Sequence, residues 1–361
     1  MPQGGLVGRR GEASPAWLAG ARLAPSAHNT QPWLFAPLPD GTVAVGWAPE
    51  RTLPIGDPTG RDLYLALGAA VESARLHALA SGAPLRFEPA PADAGETVGW
   101  LIPDASASPA DPADLALAAA LDRRQTSRKP HLPRAIPPTV RDALVVEAAR
   151  HDRTLIIATD RRTVRRLAVL AGRATAALFA DDAVHAELWR WLRLDPADPA
   201  YRRDGLTADC LELFGPARWL AQQTMPPSRM RWFCRLGLHH LLASDTVRVA
   251  RKSAAICLLA APAPDRQSLV QTGRLLQRLW LLAAQHGLTT HPLSALLDCP
   301  STLAPTTAAF HLHEFPSPAH GGGVRGGGFP AAVFRLGFAP PAARAHRLPL
   351  DELISAPSES P

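Results

Sequence analysis

A short polar segment near the N-terminus carries side chains that could bind a flat heteroaromatic ligand. Between Pro25 and Pro32 the chain holds Ser26, Asn29 and Gln31, which offer hydrogen-bond donors and acceptors on a rigid frame. Taken alone, such a pattern more often marks a loop that ends a helix and whose polar side chains satisfy their own backbone. The segment is therefore a candidate ligand-binding loop, and a loop that only ends a helix is the alternative.

A second segment, residues 123–128, reads Arg-Arg-Gln-Thr-Ser-Arg and could bind phosphate. Guanidinium groups bind phosphate through paired hydrogen bonds, and neighbouring hydroxyl groups can bind the same anion. An arginine-rich helix end is more often a solvated charged surface, and the same holds for Arg344 and Arg347 near the C-terminus. Under the functional interpretation, this segment binds the phosphate of a ligand.

The two segments resemble motifs of the flavin-dependent nitroreductases. Residues 25–33 match the signature loop Pro-Ser-x-x-Asn-x-Gln-Pro-Trp at every specified position. The chain is more similar still to the Acg-like branch, whose single-chain members resemble two fused nitroreductase subunits. The further motifs of that branch are matched by Leu-Pro-x-x-Asp-Pro-x-Gly-Arg at 53–61, Asp-Gly-Leu at 204–206, Gly-Arg-x-x-Gln-Arg-x-Trp-Leu at 273–281, Arg-Leu-Gly at 335–337 and Arg-Leu-Pro-Leu at 347–350.

This resemblance implies FMN as the cofactor and assigns residues to it. The residues that would line its isoalloxazine ring are Ser26, Asn29 and Gln31. The residues that would hold its phosphate and ribityl chain are Arg124, Thr126, Arg128 and Arg347. No catalytic side chain is assigned, because the flavin itself supplies the redox chemistry; Arg128 is the candidate for stabilising the reduced flavin. Gln125 and Ser127 stand where the branch has arginine and asparagine.

The implied activity is that of an FMN-dependent NAD(P)H oxidoreductase. NAD(P)H would deliver hydride to the flavin, which would then reduce a nitroaromatic compound, a quinone or a similar acceptor. The alternative is a catalytically silent protein that sequesters flavin under a lid, with residues 224–241 and the glycine-rich residues 321–328 as candidate covers. A third possibility is an interaction protein that binds no flavin.

The elements that must position these segments follow from hydrophobic periodicity and turn residues. Residues 42–47 alternate like a strand and favour a hairpin with the residues after Trp33. Helices are predicted at residues 15–23, 62–81, 113–121, 138–150, 161–179 and 272–285. Further strands are predicted at residues 85–88, 97–102, 154–158, 254–261 and 332–337.

Two of the predicted helices share one design. Residues 68–82 and 273–287 both begin and end with glycine and carry leucine and alanine at matching positions. This repeat predicts two similar halves packed about a pseudo-two-fold axis, and chance similarity of two helices rich in alanine and leucine is the alternative. We therefore expect an α+β, nitroreductase-like fold of two fused lobes, residues 1–110 and 111–361, each a helix-flanked antiparallel sheet. The resemblance implies that the lobes form a pseudo-dimer with FMN at their interface.

Composition narrows the class of protein. The 361 residues are 47% hydrophobic and 19% charged, which supports a folded core. The net charge of +6 comes from scattered arginines, so nucleic-acid binding is not expected.

Four cysteines without a CxxC pair predict reduced thiols and no metal site. The absence of a signal or membrane-spanning segment predicts a cytoplasmic protein without a membrane partner. The expected partner is a small-molecule substrate or none, and the expected assembly is a monomer, internally a pseudo-dimer, or a weak homodimer. Trp189, Trp191, Trp219 and Trp232 are expected in the core.

Overall fold

The computed structural model describes residues 15–106, 109–312 and 328–355. Its helices are α1 (Leu18–Ala21), α2 (Arg61–Ala80), α3 (Pro112–Ala118), α4 (Pro138–Arg150), α5 (Arg161–Ala180), α6 (Asp182–Trp189), α7 (Gly215–Thr224), α8 (Pro227–Arg235), α9 (Leu238–Arg251), α10 (Arg266–Gln285), α11 (Ala295–Asp298) and α12 (Pro300–Ala309). Its strands are β1 (Trp33–Pro37), β2 (Val43–Trp47), β3 (Leu85–Pro89), β4 (Thr97–Pro103), β5 (Thr154–Ala158), β6 (Leu192–Arg193), β7 (Leu206–Thr207), β8 (Ala255–Ala261), β9 (Thr289–Pro292) and β10 (Phe329–Gly337).

The first sheet has the strand order β1-β2-β4-β3, and every pairing in it is antiparallel. β1 and β2 form the hairpin predicted from the alternation of residues 42–47. Helix α2 follows β2, and its residues Leu67 and Val71 belong to the same buried cluster as Trp33, Phe35 and Leu101 of the strands. Burial of this apolar helix face against the sheet forms the core of the first half.

The second sheet has the strand order β5-β8-β10-β9 and is also antiparallel throughout. All seven residues of β8 are buried, which explains why this strand reads as a continuous apolar run. One core cluster joins the sheet to α4 and α10, and another joins it to α5, α11 and α12. Both faces of the second sheet are therefore covered by helices.

The two sheets have the same topology. In each, a long helix follows the second strand, and the last two strands then pair so that the order is first, second, fourth, third. Helices α2 and α10 are both 20 residues long. Gly82 and Gly287, at their C-terminal ends, adopt left-handed φ angles of +75° and +71°. The α+β class is confirmed, and the repeated topology agrees with a pseudo-dimer; the lobe boundary at residue 110 stays a prediction.

Helices α2 and α10 touch each other backbone to backbone. A Cβ atom on Gly68 would lie 2.0 Å from the carbonyl oxygen of Val270, and one on Gly273 would lie 2.2 Å from that of Leu65. Gly68 and Gly273 are the first glycines of the two repeats. Each contacts the residue that lies three positions before the other glycine. Only glycine lets the two helices approach this closely.

Buried polar contacts flank this helix pair in a reciprocal arrangement. The carboxylate of Glu72 accepts hydrogen bonds from Arg274 and Arg278, at 3.1 and 3.0 Å, and Gln277 donates to the hydroxyl of Ser73 at 2.9 Å. Glu72 and Gln277 occupy matching positions of the repeat, and each bonds the residue that follows the other. Burial opposes ionisation of Glu72, but Arg274, Arg75 and Arg278 outweigh it and hold the pKa of that carboxyl well below its usual range.

A cluster of carboxyl groups also joins the two halves. Nη2 of Arg61, at the start of α2, contacts Asp62 at 2.8 Å and Asp298 of α11 at 2.9 Å. Burial, and next the charge of Asp62, raise the pKa of Asp57 to about 7 and that of Asp298 to about 8. One guanidinium is too little positive charge for three carboxylates, so the cluster holds protons near neutral pH.

The last described residues return to the first sheet. Leu348 and Leu353 belong to the core cluster of that sheet, and Ile354 forms a parallel bridge with Phe35. The C-terminal tail therefore crosses from the second sheet to the first. Among the described residues, no helix is both long enough and apolar enough to cross a bilayer.

Several expectations need correction or lie outside the described chain. Helix α10 begins six residues earlier than predicted, at Arg266, because the carboxylate of Asp265 caps it by accepting from the backbone N–H of Ser268 at 2.9 Å. Trp191 is buried as expected, but the core assignment is wrong for Trp219 and Trp232, which are 62% and 54% exposed. They lie on the outer side of α7 and α8. Residues 321–327 of the glycine-rich run, a candidate cover, lie outside the described residues.

Replacing Gly68 by alanine tests the backbone contact between α2 and α10. Alanine favours helix by about 1 kcal/mol over glycine, but its methyl group would meet a carbonyl that cannot rotate away. We expect G68A to lower the free energy of unfolding by about 3 kcal/mol in chemical denaturation. The comparison variant is G172A in α5, where the nearest atom is Cγ2 of Val247 at 2.4 Å and the nearest backbone atom, the carbonyl oxygen of Ala243, lies at 3.1 Å, so we expect a smaller loss than for G68A. Equal stability of G68A and wild type would contradict the contact.

The carboxyl cluster predicts that stability falls as pH rises. The folded pKa values of Asp57 and Asp298 lie above their unfolded values, so their contribution is complete below about pH 4 and is lost as pH rises through 7 to 8. We expect D298N to flatten the decline of the melting temperature across this range. D93N, at an exposed position, should leave the decline unchanged. A wild-type profile without a decline would refute the assignment.

Candidate active site

The polar loop before β1 has an unusual backbone. His28, Asn29 and Gln31 adopt left-handed φ angles of +48°, +56° and +53°, a conformation that costs side-chain-bearing residues about 1–3 kcal/mol each. The hydroxyl of Ser26 accepts a hydrogen bond from the backbone N–H of Gln31 at 2.9 Å and closes the loop. Because this conformation is costly, contacts with the rest of the protein must hold it.

The amide side chains of Asn29 and Gln31 provide those contacts. Nδ2 of Asn29 donates to the carbonyl oxygens of Gly205 and His346, at 3.1 and 3.0 Å. Nε2 of Gln31 donates to the carbonyl of Arg203 at 2.9 Å, and its Oε1 accepts from the N–H of Leu348 at 2.9 Å. Both amides are buried. The loop is thereby docked to residues 203–205 and to the C-terminal tail.

Two arginines lie side by side at the start of this loop. Arg124 donates to the carbonyl of Leu23 at 3.2 Å, and Arg347 donates to the next carbonyl, that of Ala24, at 3.1 Å. Nη1 of Arg347 also donates to Oδ1 of Asn29. Buried nitrogen atoms remain without a hydrogen-bond partner in the described structure: Nε and Nη1 of Arg124 and Nε of Arg347. Such orphaned donors suit an anionic ligand.

These two guanidiniums have no carboxylate partner among the described residues. Burial, with Arg347 and Arg344 next in order, lowers the pKa of Arg124 to about 9; burial is also the main cause that lowers the pKa of Arg347 to about 10. Arg61 is buried as well, yet Asp62 and Asp298 outweigh burial and raise its pKa. Among the described residues, no carboxylate compensates the charge of Arg124 or Arg347 in the way that Asp62 and Asp298 compensate that of Arg61.

The rest of the basic run is fixed to the second sheet. Thr126 forms a bridge with Thr290 of β9, and Arg128 donates to the carbonyl of Cys210 at 2.9 Å. Arg335 of β10 is fully buried and donates to the carbonyls of Ser127 and Lys129, at 3.0 and 3.3 Å. A buried cation thus holds the chain at residues 127–129 in place.

The residues that depart from the family pattern have structural partners. Oε1 of Gln125 accepts from the backbone N–H of Ala342 at 3.3 Å, and Oγ of Ser127 accepts from the backbone N–H of Lys129 at 3.3 Å. Gln125 therefore ties the basic run to the tail. Ser127 is buried and stabilises the local turn.

The structure brings the predicted site residues together from three parts of the chain. Ser26, Asn29 and Gln31 share the loop, Arg124 and Arg347 meet at its start, and the segment with Thr126 and Arg128 continues along the second sheet. Their roles toward a cofactor stay predictions. Sequence reasoning did not assign site roles to Arg335 or Gly205, although both lie in motifs of the resemblance.

Comparisons with known proteins agree with the motifs. No protein-family model matches the chain. The Mycobacterium tuberculosis protein Rv3131, named as an NAD(P)H nitroreductase, is 27% identical over 352 residues, which cover 93% of this chain and 89% of the relative. PigM of Serratia sp., also named as an NAD(P)H nitroreductase, is 27% identical over 290 residues, covering 77% of this chain and 79% of the relative.

Two solved structures are also similar. The FMN-dependent nitroreductase NfnB of Mycobacterium smegmatis in complex with NADPH covers 62% of this chain and 89% of its own, at 18% identity and a TM-score of 0.34. An FMN- and NADPH-dependent nitroreductase NfnB from sphigopyxis sp. strain HMH covers 67% and 98%, at 15% identity and a TM-score of 0.36. The sequence relatives confirm the predicted resemblance: over nearly its whole length this chain is similar to proteins named as NAD(P)H nitroreductases, while its place in the fused Acg-like branch stays a prediction.

Proposed function

We propose that the protein is an FMN-dependent NAD(P)H oxidoreductase of nitroreductase type that reduces nitroaromatic compounds, quinones or similar acceptors. The observation that carries this proposal is the pair formed by the buried Arg124 and the partly buried Arg347, which has no carboxylate partner among the described residues and lies beside the loop that carries Asn29. The names of the sequence relatives support the same activity.

The phosphate of FMN fits this pair. A phosphate dianion accepts several hydrogen bonds, and the unpartnered Nε and Nη1 of Arg124 and Nε of Arg347 can donate them. Its charge would also compensate two guanidiniums whose pKa values burial lowers. A solvated charged surface, the alternative for these arginines, does not match the burial of Arg124 or of Nε of Arg347.

The remaining residues would hold the rest of the cofactor. Thr126 and Arg128 would contact the ribityl chain, and the loop of Ser26, Asn29 and Gln31 would contact the ring. Since the amides of Asn29 and Gln31 now bind residues 203–205 and the tail, a ring that reaches those amides must exchange some of these contacts. When bound, FMN supplies the hydride and electron transfer between NAD(P)H and the acceptor.

The proposal also covers the acceptor, the cellular location and the oligomeric state of the protein. We infer a small-molecule acceptor, a cytoplasmic location and a monomer in which two lobes, divided near residue 110, stand in for two subunits. The four cysteines are all free, which agrees with a reducing compartment.

Replacing Arg124 by alanine tests the phosphate contact. We expect R124A to weaken FMN retention by about 1.5 to 3 kcal/mol, because a charged hydrogen bond to phosphate is lost. Retention is measured by titrating the apoprotein with FMN and following flavin fluorescence. R123A is the matched control, since Arg123 is adjacent but exposed. If R124A and R123A retain FMN equally well, Arg124 is not part of the site.

Anaerobic reduction tests the activity itself. We expect the visible absorbance of FMN-reconstituted protein to bleach after addition of NADPH or NADH and to recover after addition of a quinone or nitroaromatic compound. A bound flavin that stays oxidised would instead establish the sequestering alternative. Protein that retains no flavin would refute the proposal.

A further inference from the structure

Helices α7 to α9, which lie between α6 and β8 in the chain, carry large exposed apolar side chains. Trp232 of α8 is 54% exposed, Leu236, which directly follows α8, is 67% exposed, and Leu241 of α9 is 66% exposed. Phe214, Trp219 and Leu220, at α7, are exposed as well. Large side chains concentrated in this way mark a surface that binds a partner.

The inner sides of these helices explain why the outer sides remain free. Met230 of α8 is buried in a small apolar cluster, and Cys234 of α8 and Leu242 of α9 pack against it. Gly237, with a φ of +89°, turns the chain between the two helices. Because both helices bury one side against this cluster, Trp232, Leu236 and Leu241 lie on their outward sides.

The charge around these apolar residues is positive. Residues 213–244 contain four arginines and neither aspartate nor glutamate. Arg235 lies on the exposed side of α8 and has no partner in the described structure, whereas Arg231 pairs with Asp182 at 2.8 Å. The apolar residues of α8 are therefore accompanied by a free guanidinium.

The outward side of α9 extends the positive charge into a groove. The groove, about 450 Å³, is lined by Ser244, Val247, Arg248, Arg251 and Lys252. Leu241, Arg248 and Lys252 follow one another at helical spacing, so one face of α9 passes from apolar to basic. Arg248 pairs with Asp245 at 2.6 Å, whereas Arg251 and Lys252 have no partner among the described residues.

We propose that this outward face of α8 and α9 docks on the surface of an anionic phospholipid bilayer. Trp232, Leu236 and Leu241 enter the boundary between headgroups and acyl chains, while Arg235, Arg251 and Lys252 contact lipid phosphate. Tryptophan and leucine flanked by basic residues are the composition of helices that lie in a membrane interface. The inference is independent of the proposed activity.

Two other occupants fit the face less well. A second copy that used the same face would bring arginines against arginines, which disfavours association. An acidic protein would match the charge, but Trp232 beside exposed leucines is typical of a surface that anchors at lipid headgroups. The expectation of no membrane partner considered spanning segments, and a surface-bound helix needs none.

The test is flotation of the full-length protein with phosphatidylcholine vesicles, with or without phosphatidylglycerol. We expect binding to the phosphatidylglycerol vesicles, little binding to pure phosphatidylcholine, and weaker binding at high salt. W232S/L236S and R251Q/K252Q should each bind about tenfold more weakly. The matched controls V145S/V146S, on the exposed side of α4, and R190Q/R202Q should bind like wild type.

Several results would overturn the proposal. They are equal binding to both kinds of vesicle, no binding to either, or unchanged binding of both face variants. Size-exclusion chromatography adds another: wild type that elutes as a dimer which W232S/L236S converts to monomer would assign the face to a second copy. The face variants replace exposed side chains, so their melting temperatures should match wild type, which confirms that they fold.

Discussion

The contact on which the structure depends is the backbone approach of α2 to α10. Gly68 and Gly273 let two buried helices touch where any side chain would meet a carbonyl oxygen. This contact sets the distance between the two sheets. The polar loop enters the first sheet at β1, and the basic run lies on the second sheet at β9, so the same contact brings the candidate site together. Gln277 and Ser73, and Glu72 and Arg278, then hold the helix pair in register.

Arginines inside this molecule differ in what compensates their charge. Arg61 and Arg278 have carboxylate partners, and their pKa values are raised although burial alone would lower them. Such pairs join the halves. Arg124 and Arg347 bind neighbouring carbonyl groups, have nitrogen atoms without a partner among the described residues, and have lowered pKa values. Burial without compensation is costly, and the phosphate proposed as their ligand would supply the missing negative charge.

Local sequence patterns predict most of the fold. They do not predict which residues the site side chains contact. Strand alternation located the hairpin of the first sheet, and repeated glycines identified α2 and α10 as related helices. The contacts of Asn29 and Gln31 with residues 203–205 and the tail join positions far apart in the chain, which no spacing reveals. Arg335 sits in an apolar strand, where nothing local indicates that its guanidinium bonds residues 127–129. Trp219 and Trp232 were placed in the core because aromatic residues usually bury, but short helices on a small cluster bury one side only.

Joining the two halves in one chain changes how the interface responds to dilution. When a site is built between separate subunits, its occupancy depends on protein concentration, because the subunits must first find each other. Here α2 and α10 belong to the same polypeptide, so their association is intramolecular and has a high effective concentration at any expression level. The two halves are also free to diverge, since a substitution in α2 is not copied into α10. Glu72 and Gln277 occupy matching positions with different side chains, which is a divergence that identical subunits could not make.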